Sequence, residues 1–497
     1  MASLSSLPVE LIERIYDFLD PGTHLDFSLI SKSLAYHSRD LLEHHRQCRE
    51  RLRTAHVSTH DLTARNLLNT IAQDHVAAWH IRDLELSSSG TSPLAEVDRY
   101  ALEVDLYGLL EARLWSPMVN RIPQPTSTLD AIHKALEDCS LSTKQFILLT
   151  ALCTRLRTLK LHAFERSASN NDASHENAEP VEELAGLLLL LSSQESSASL
   201  AIWPPGLQTL RKLVLHGSDA RYPFPNTDLA PHTVASFFLL PTISTVHLTK
   251  MRWEARHQPI ASNHPPSAVR HTILEHVQGP AANEVVNQLI AMAPNLTSLF
   301  LRACSFDGGN VCEPDLPCHQ LERVVFDGRA DSLSEFYHHL GFPWNHLAAM
   351  KAIKILTLDV LDMMPCSTRR SMVEVKYKGE GREEFLQRFV DSIPPTLEVL
   401  MLQHPPHQRL NDREMQKVGD ALMRLVEEKR CPGLEAIYAD KFEGWMHGMR
   451  NQWGAATPGN WLEDVQVLMK NRGIAMYGQK DEGATNRFIE KVCSELC

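Results

Sequence analysis

The 497-residue chain has no run of about 18 apolar residues, and no basic segment with an apolar stretch follows its opening Met1-Ala2-Ser3. Neither membrane insertion nor secretion is expected. The longest apolar run, Leu184 to Leu191 with Ala185 and Gly186 inside it, is too short to span a bilayer and predicts a buried helix. Positive charge is also scarce. The 49 Lys and Arg stand against 61 Asp and Glu, and a net charge of -12 disfavours nucleic acid or anionic lipid as a main partner. The 25 histidines are scattered and mostly neutral at cytosolic pH, so they leave that sign unchanged. The ten cysteines include no CxxC pair, which predicts reduced thiols in the cytoplasm or nucleus rather than disulfides.

Catalytic signatures are missing as well. No GxGxxG follows a strand pattern, and GxxxxGK[ST], HExxH and GxSxG do not occur, so no enzyme chemistry is expected. Cys304, Cys312 and Cys318 gather only loosely, and Cys493 with Cys497 has no nearby His or Cys, so neither place offers four close zinc ligands. His44-His45 and His338-His339 are adjacent residues that point apart on a helix. No metal and no other cofactor is expected.

What is present begins with an N-terminal helical pattern. Pro8 suits a first helical position and Glu10 the first turn, while Leu11, Ile15, Phe18 and Leu19 recur at three- and four-residue steps. Asp20-Pro21-Gly22 stops this helix, Thr23 with Asp26 predicts a capping box for a second, and a third is expected from about Lys32 to Arg46. Three such short helices cannot bury their apolar surface among themselves and need a neighbour. The segments Leu7-Pro8-Val9-Glu10-Leu11, Ile15, Phe18-Leu19, Leu25 and Ser28-Leu29-Ile30-Ser31-Lys32 resemble, in order, the F-box motif. That resemblance covers about the first 46 residues. It implies docking on a Skp-type adaptor of a cullin-based ubiquitin ligase, with Leu7, Pro8, Glu10, Leu11, Ile15, Phe18, Leu19, Leu25, Leu29 and Lys32 in the contact. Where many F-boxes carry a Cys-x-x-Trp-like segment, this chain has Ile30-Ser31-Lys32-Ser33-Leu34. A cap on the following domain is the other reading of these helices.

From about residue 80 to 440 the pattern apolar-x-x-apolar-x-apolar recurs. It begins at Ile81, Leu156, Leu210, Ile243, Leu296, Leu321, Ile353, Leu397 and Leu434, with a weaker copy at Val269. Its second and third apolar positions have strand spacing. Helical spacing precedes several copies, as in Ala282 to Met292, Ser332 to Leu340, Glu383 to Ile393 and Asp412 to Glu428, and proline bends such as Pro394-Pro395 separate helix from strand. These motifs are similar to leucine-rich repeats, though without a consistent asparagine after the strand. The expected fold is α/β: an F-box (1–46), a helical linker (47–79) and an irregular repeat solenoid with a C-terminal cap (80–497), its parallel strands concave and its helices convex. A final strand is expected at Gly473 to Gly478 after a helix at Trp461 to Met469, and Ser167 to Glu179 reads as a surface insertion.

Strand alternation turns the residues between the apolar positions toward the concave side. Ser298, Phe300 and Arg302 would then lie beside Arg323, Val325 and Asp327, a patch suited to binding a protein substrate of unknown identity. Cover of Phe300 and Val325 by an inserted loop or the C-terminal segment is the alternative. The function expected is substrate recognition within an SCF-type ligase; a repeat scaffold with no ligase connection is the rival.

Overall fold

The computed structural model describes residues 7–58, 62–87, 134, 139, 141–162, 180–192, 203–217, 229–253, 260, 265–302, 304–306, 320–327, 350, 352–359, 382–403, 412–439, 461–477 and 484–496. The chain is a mixed α/β protein with two compact units: Met1–Leu229 with Thr233–Ser244, and Ala230–His232 with Thr245–Cys497. The expected helix at Ser332 to Leu340 and the insertion at Ser167 to Glu179 lie outside the described residues.

The first unit opens with α1 (Val9–Phe18) and α2 (Pro21–Leu29). Pro8 is the N-cap of α1, not its first helical residue, and its carbonyl accepts from the Leu11 and Ile12 N–H groups. The cap of α2 also differs from expectation. Asp20 accepts from Gly22 N at 2.9 Å and Thr23 N at 3.1 Å with Pro21 in the first turn, so the tripeptide that stops one helix also starts the next. The single helix expected over 32–46 is two helices, α3 (Lys32–His37) and α4 (Arg39–Leu52). The break falls at Ser38, whose hydroxyl turns inward to Ser28 Oγ at 2.9 Å and Leu34 O at 2.9 Å.

The chain continues through β1 (Thr54–Ser58), α5 (Leu62–Gln73), α6 (His75–His80), β2 (Asp83–Ser87), α7 (Leu141–Leu152) and β3 (Thr158–His162). Then come α8 (Pro180–Ser192), α9 (Pro205–Thr209), β4 (Lys212–His216) and α10 (Pro231–Phe238). β1 to β4 lie side by side in chain order, every pair parallel. Helix α7 packs against α5, α8 and α9. The contact with α9 is very close at Gly206, where an added Cβ would overlap the carbonyls of Thr150 and Cys153.

Among its described residues the second unit holds eight parallel strands, paired in this order: β5 (Thr245–Thr249), β6 (His271–Glu275), β8 (Ser298–Arg302), β10 (Arg323–Asp327), β11 (Ile355–Asp359), β12 (Val399–Gln403), β13 (Ala436–Ala439) and β14 (Ala475–Tyr477). A two-residue pair, β7 (Gln278–Gly279) with β9 (Ser305–Phe306), stands apart from them. Between strands run α11 (Ala282–Met292), α12 (Arg382–Ser392), α13 (Asp412–Glu427) and α14 (Trp461–Asn471), and α15 (Ala484–Leu496) follows β14.

Every motif of the six-residue pattern supplies a strand, and its second and third apolar positions are buried wherever their side chains are described. Leu84 and Leu86, Leu159 and Leu161, Leu299 and Leu301, and Leu400 and Leu402 are examples. Helices join strands that are parallel neighbours, as parallel pairing requires a crossover. Many successive strands share one backbone device: the carbonyl just before one strand accepts from two consecutive N–H groups at the start of the next. Arg53 O takes those of Arg82 and Asp83, Arg82 O those of Arg157 and Thr158, and Arg157 O those of Arg211 and Lys212. In the second unit Thr297, Glu322, Lys354 and Glu398 do the same. The linking therefore uses main chain and needs no asparagine.

Candidate functional site

The expected adaptor-docking residues divide between an inward and an outward face. Ile12, Tyr16 and Leu34 form a buried cluster with Leu7, Leu19, Phe27 and Leu41 packed on it, so the inward stripe of α1 is Ile12, Tyr16 and Leu19. Leu11 and Phe18, expected to share a face with Leu19, point outward instead, and Ile15 is half-buried. Pro8, Glu10 and Lys32 are exposed and Leu25 is half-buried. Phe18 and Leu29 are 81% and 83% exposed, and Val9, Leu11, Ile30 and Tyr36 join them at the surface. Among the described residues the one other large exposed hydrophobic side chain is Val467. Apolar groups gathered this way on short helices form a surface suited to contact with another protein.

The expected substrate patch is corrected by the C-terminal helix. Phe300 and Val325 are each 1% exposed. With Ile273, Met401 and Tyr438 they form a core that Ile489 and Val492 of α15 complete, Phe488 packing at its margin. The strand register is the one expected, since Phe300 and Val325 do lie beside each other and do face away from Leu299. The face is nevertheless covered by the C-terminal segment, so these two residues are core. Ser298 is buried too, Arg302 is exposed and paired with Glu275 at 3.2 Å, and Arg323 reaches Glu495 of α15 at 3.7 Å. The side chain of Asp327 lies outside the described residues.

In the first unit the same strand face is polar. Glu85 on β2 meets His56 Nδ1 at 3.1 Å, Lys160 Nζ at 3.4 Å and His162 Nε2 at 3.0 Å. Burial pushes its carboxyl pKa up, but the Lys160 charge and the hydrogen bonds from His162 and Lys160 outweigh that and hold it below the ordinary value. His162 and His216 have ring centroids 5.1 Å apart on adjacent strands.

The closest metal-capable group among the described residues is His44, Cys48 and Asp74. A thiolate sharing zinc with the His44 Nε2 would lie about 3.6 Å from that nitrogen and about 5 Å from Nδ1, given ordinary Zn–N and Zn–S lengths and tetrahedral angles. Cys48 Sγ is 3.6 Å from Nε2 but only 3.9 Å from Nδ1, which puts the sulfur against the flat of the ring. His44 instead pairs with Asp74 Oδ2 at 2.8 Å, and Asp74 Oδ1 caps α6. These residues join α4 to α6 and are not preformed for a metal.

No protein-family model and no curated protein matches the chain. Ile30, the C-cap of α2, and Tyr36, on α3, belong to the exposed set although they were not among the expected contacts. α15 had a legible signal in Phe488, Ile489 and Val492, spaced for one helical face. β1 also fits the repeat pattern as Leu52-x-x-Ala55-x-Val57, disguised by the small Ala55.

Proposed function

We propose that the chain is a substrate-recognition subunit of an SCF-type ubiquitin ligase. Its first helices would dock on a Skp-type adaptor, and its parallel-strand turns would form a leucine-rich-repeat-like solenoid that captures a protein. The observation that carries this reading is the exposure of Phe18 on α1, Leu29 on α2, Ile30 just after it and Tyr36 on α3. A mere cap would turn its apolar residues toward the domain it covers; these helices bury Ile12, Tyr16 and Leu34 among themselves and hold a second apolar set outside. In this role the protein catalyses nothing itself. Holding a substrate near a separate transferase raises its effective concentration.

The test is co-purification with a Skp-type adaptor. Phe18→Ser with Leu29→Ser is expected to abolish capture while the melting temperature stays put. Capture of the double variant at the level of the unaltered chain would refute the proposal.

A further inference from the structure

Residues just before the strands of the first unit repeat one side chain. Arg53, Arg82, Arg157 and Arg211 precede β1, β2, β3 and β4, and each is hydrogen-bonded through its backbone to the next. Adjacent strands are about 4.8 Å apart, so four arginines in one register position make a column about 14 Å long. The corresponding position of the second unit is Arg270, Thr297, Glu322, Lys354, Glu398, Glu435 and Ile474, where Lys354 and Glu398 pair at 3.5 Å. The backbone device works with any side chain. Arginine at four successive turns is therefore not required by the fold.

The column is uncompensated. Arg53, Arg157 and Arg211 are exposed, and among the described residues none of the four arginines makes an ion pair. Arg82 and Arg155 both lie over the ring of Trp79, at 4.9 and 4.3 Å, so one aromatic ring holds two guanidinium groups in place. Arg82 donates to the carbonyl of Arg155, and Arg211 to that of Thr242, leaving further N–H groups on each. Burial, then the charges of Arg155, Arg157 and Arg53, pushes the Arg82 pKa down to about 10, and Asp83 offsets only part of this. Burial and the charges of Arg82, Arg49 and Arg155 also hold His80 at about 4. In a chain of net charge -12, this is a local concentration of positive potential with fixed geometry.

We infer that the arginine column is a binding site for an extended anionic peptide segment, its carboxylates or phosphates taken by Arg53, Arg82, Arg157 and Arg211. Arginine is suited to both groups, since its planar fork meets two oxygens at once. At about 3.3 Å per residue, 14 Å accommodates four or five residues of extended chain. A long nucleic acid is disfavoured because the charge beyond the column has the opposite sign. The inference names the chemistry of a captured segment and rests on the partner-binding reading, but not on adaptor docking.

The experiment titrates the full chain with two fluorescein-labelled probes, an octaglutamate peptide and a peptide carrying four phosphoserines, with a single-stranded RNA oligonucleotide as comparison. At least one peptide is expected to bind saturably and to weaken with added salt. Arg53→Gln with Arg157→Gln, which removes side chains that hold no other described group, should weaken that binding by about tenfold or more at unchanged melting temperature. Whichever peptide binds more tightly identifies the anion. Absence of peptide binding, equal binding by the double variant, or tighter RNA binding with the same dependence on Arg53 and Arg157 would each overturn the assignment. Adaptor co-purification is a separate measurement, so the failure of one reading leaves the other visible.

Discussion

His45 Nδ1 lies 2.9 Å from His80 Nε2, and the other nitrogen of His45 lies 3.2 Å from His24 Nδ1. All three rings are buried. His24 Nε2 faces only the carbonyls of Tyr16 and Leu19, at 2.9 and 3.0 Å, so it must carry the proton. His24 Nδ1 is then an acceptor, which requires Nε2–H on His45, and in turn Nε2–H on His80. Imidazoles donating in one direction thus tie α2, α4 and α6 together, and the neutrality of His45 and His80 is a condition of that arrangement.

That chain makes stability fall in mild acid. Burial, then the nearby His80 and His24, hold His45 at about 4, and burial with Arg82 holds His80 at about 4, both below the ordinary 6.5. Between those values the unfolded chain binds more protons than the folded one, so stability is complete above pH 6.5 and drains away as pH falls toward 4. The urea midpoint should drop over that window. His45→Phe should lower stability at pH 7.5, by leaving His24 and His80 unpaired, and should flatten the pH dependence; an unchanged slope would deny the chain its role.

Leu299→Ala and Phe300→Ala should both be costly, by about 2–5 and about 3–5 kcal/mol, because both side chains are 1% exposed on opposite faces of one strand. Alternation alone would have spared Phe300. Thermal or urea melts distinguish the two cases, and a loss under about 1 kcal/mol at Phe300 would mean that α15 does not cover it.

Neighbouring leucines at the amino end should behave oppositely. Leu34→Ala removes a side chain from the buried cluster with Ile12 and Tyr16 and should cost about 2–5 kcal/mol. Leu29→Ser, at an exposed position, should stay within about 0.5 kcal/mol of the unaltered protein. Denaturant titration of both variants is the measurement.

Gly206→Ala should destabilise by about 1–3 kcal/mol, although alanine is the better helix former. The added methyl would meet the backbone carbonyls of Thr150 and Cys153, which α7 holds in place. An increase in melting temperature would show that α9 shifts freely against α7.

The periodic parts of this protein were legible from sequence because each strand repeats a local rule. In Leu296 to Leu301 and its relatives, apolar residues two apart face one side of a strand, and burial of that side needs only the next turn. The helices Ala282–Met292 and Asp412–Glu427 followed from their own spacing in the same way. Faces contested by distant segments were not legible. Whether Phe300 meets solvent depends on Ile489 and Val492, nearly two hundred residues away, and strand alternation carries no information about that distance. Leu11 and Phe18 likewise match the helical period as well as Ile12 and Tyr16 do; packing against Leu34 and hydrogen bonding of Tyr16 to Ser28 at 2.8 Å decided which pair went inside. Sequence determined the elements and their alternation, which are local. Tertiary structure decided which apolar face was covered, because burial is a property of the neighbour as much as of the residue.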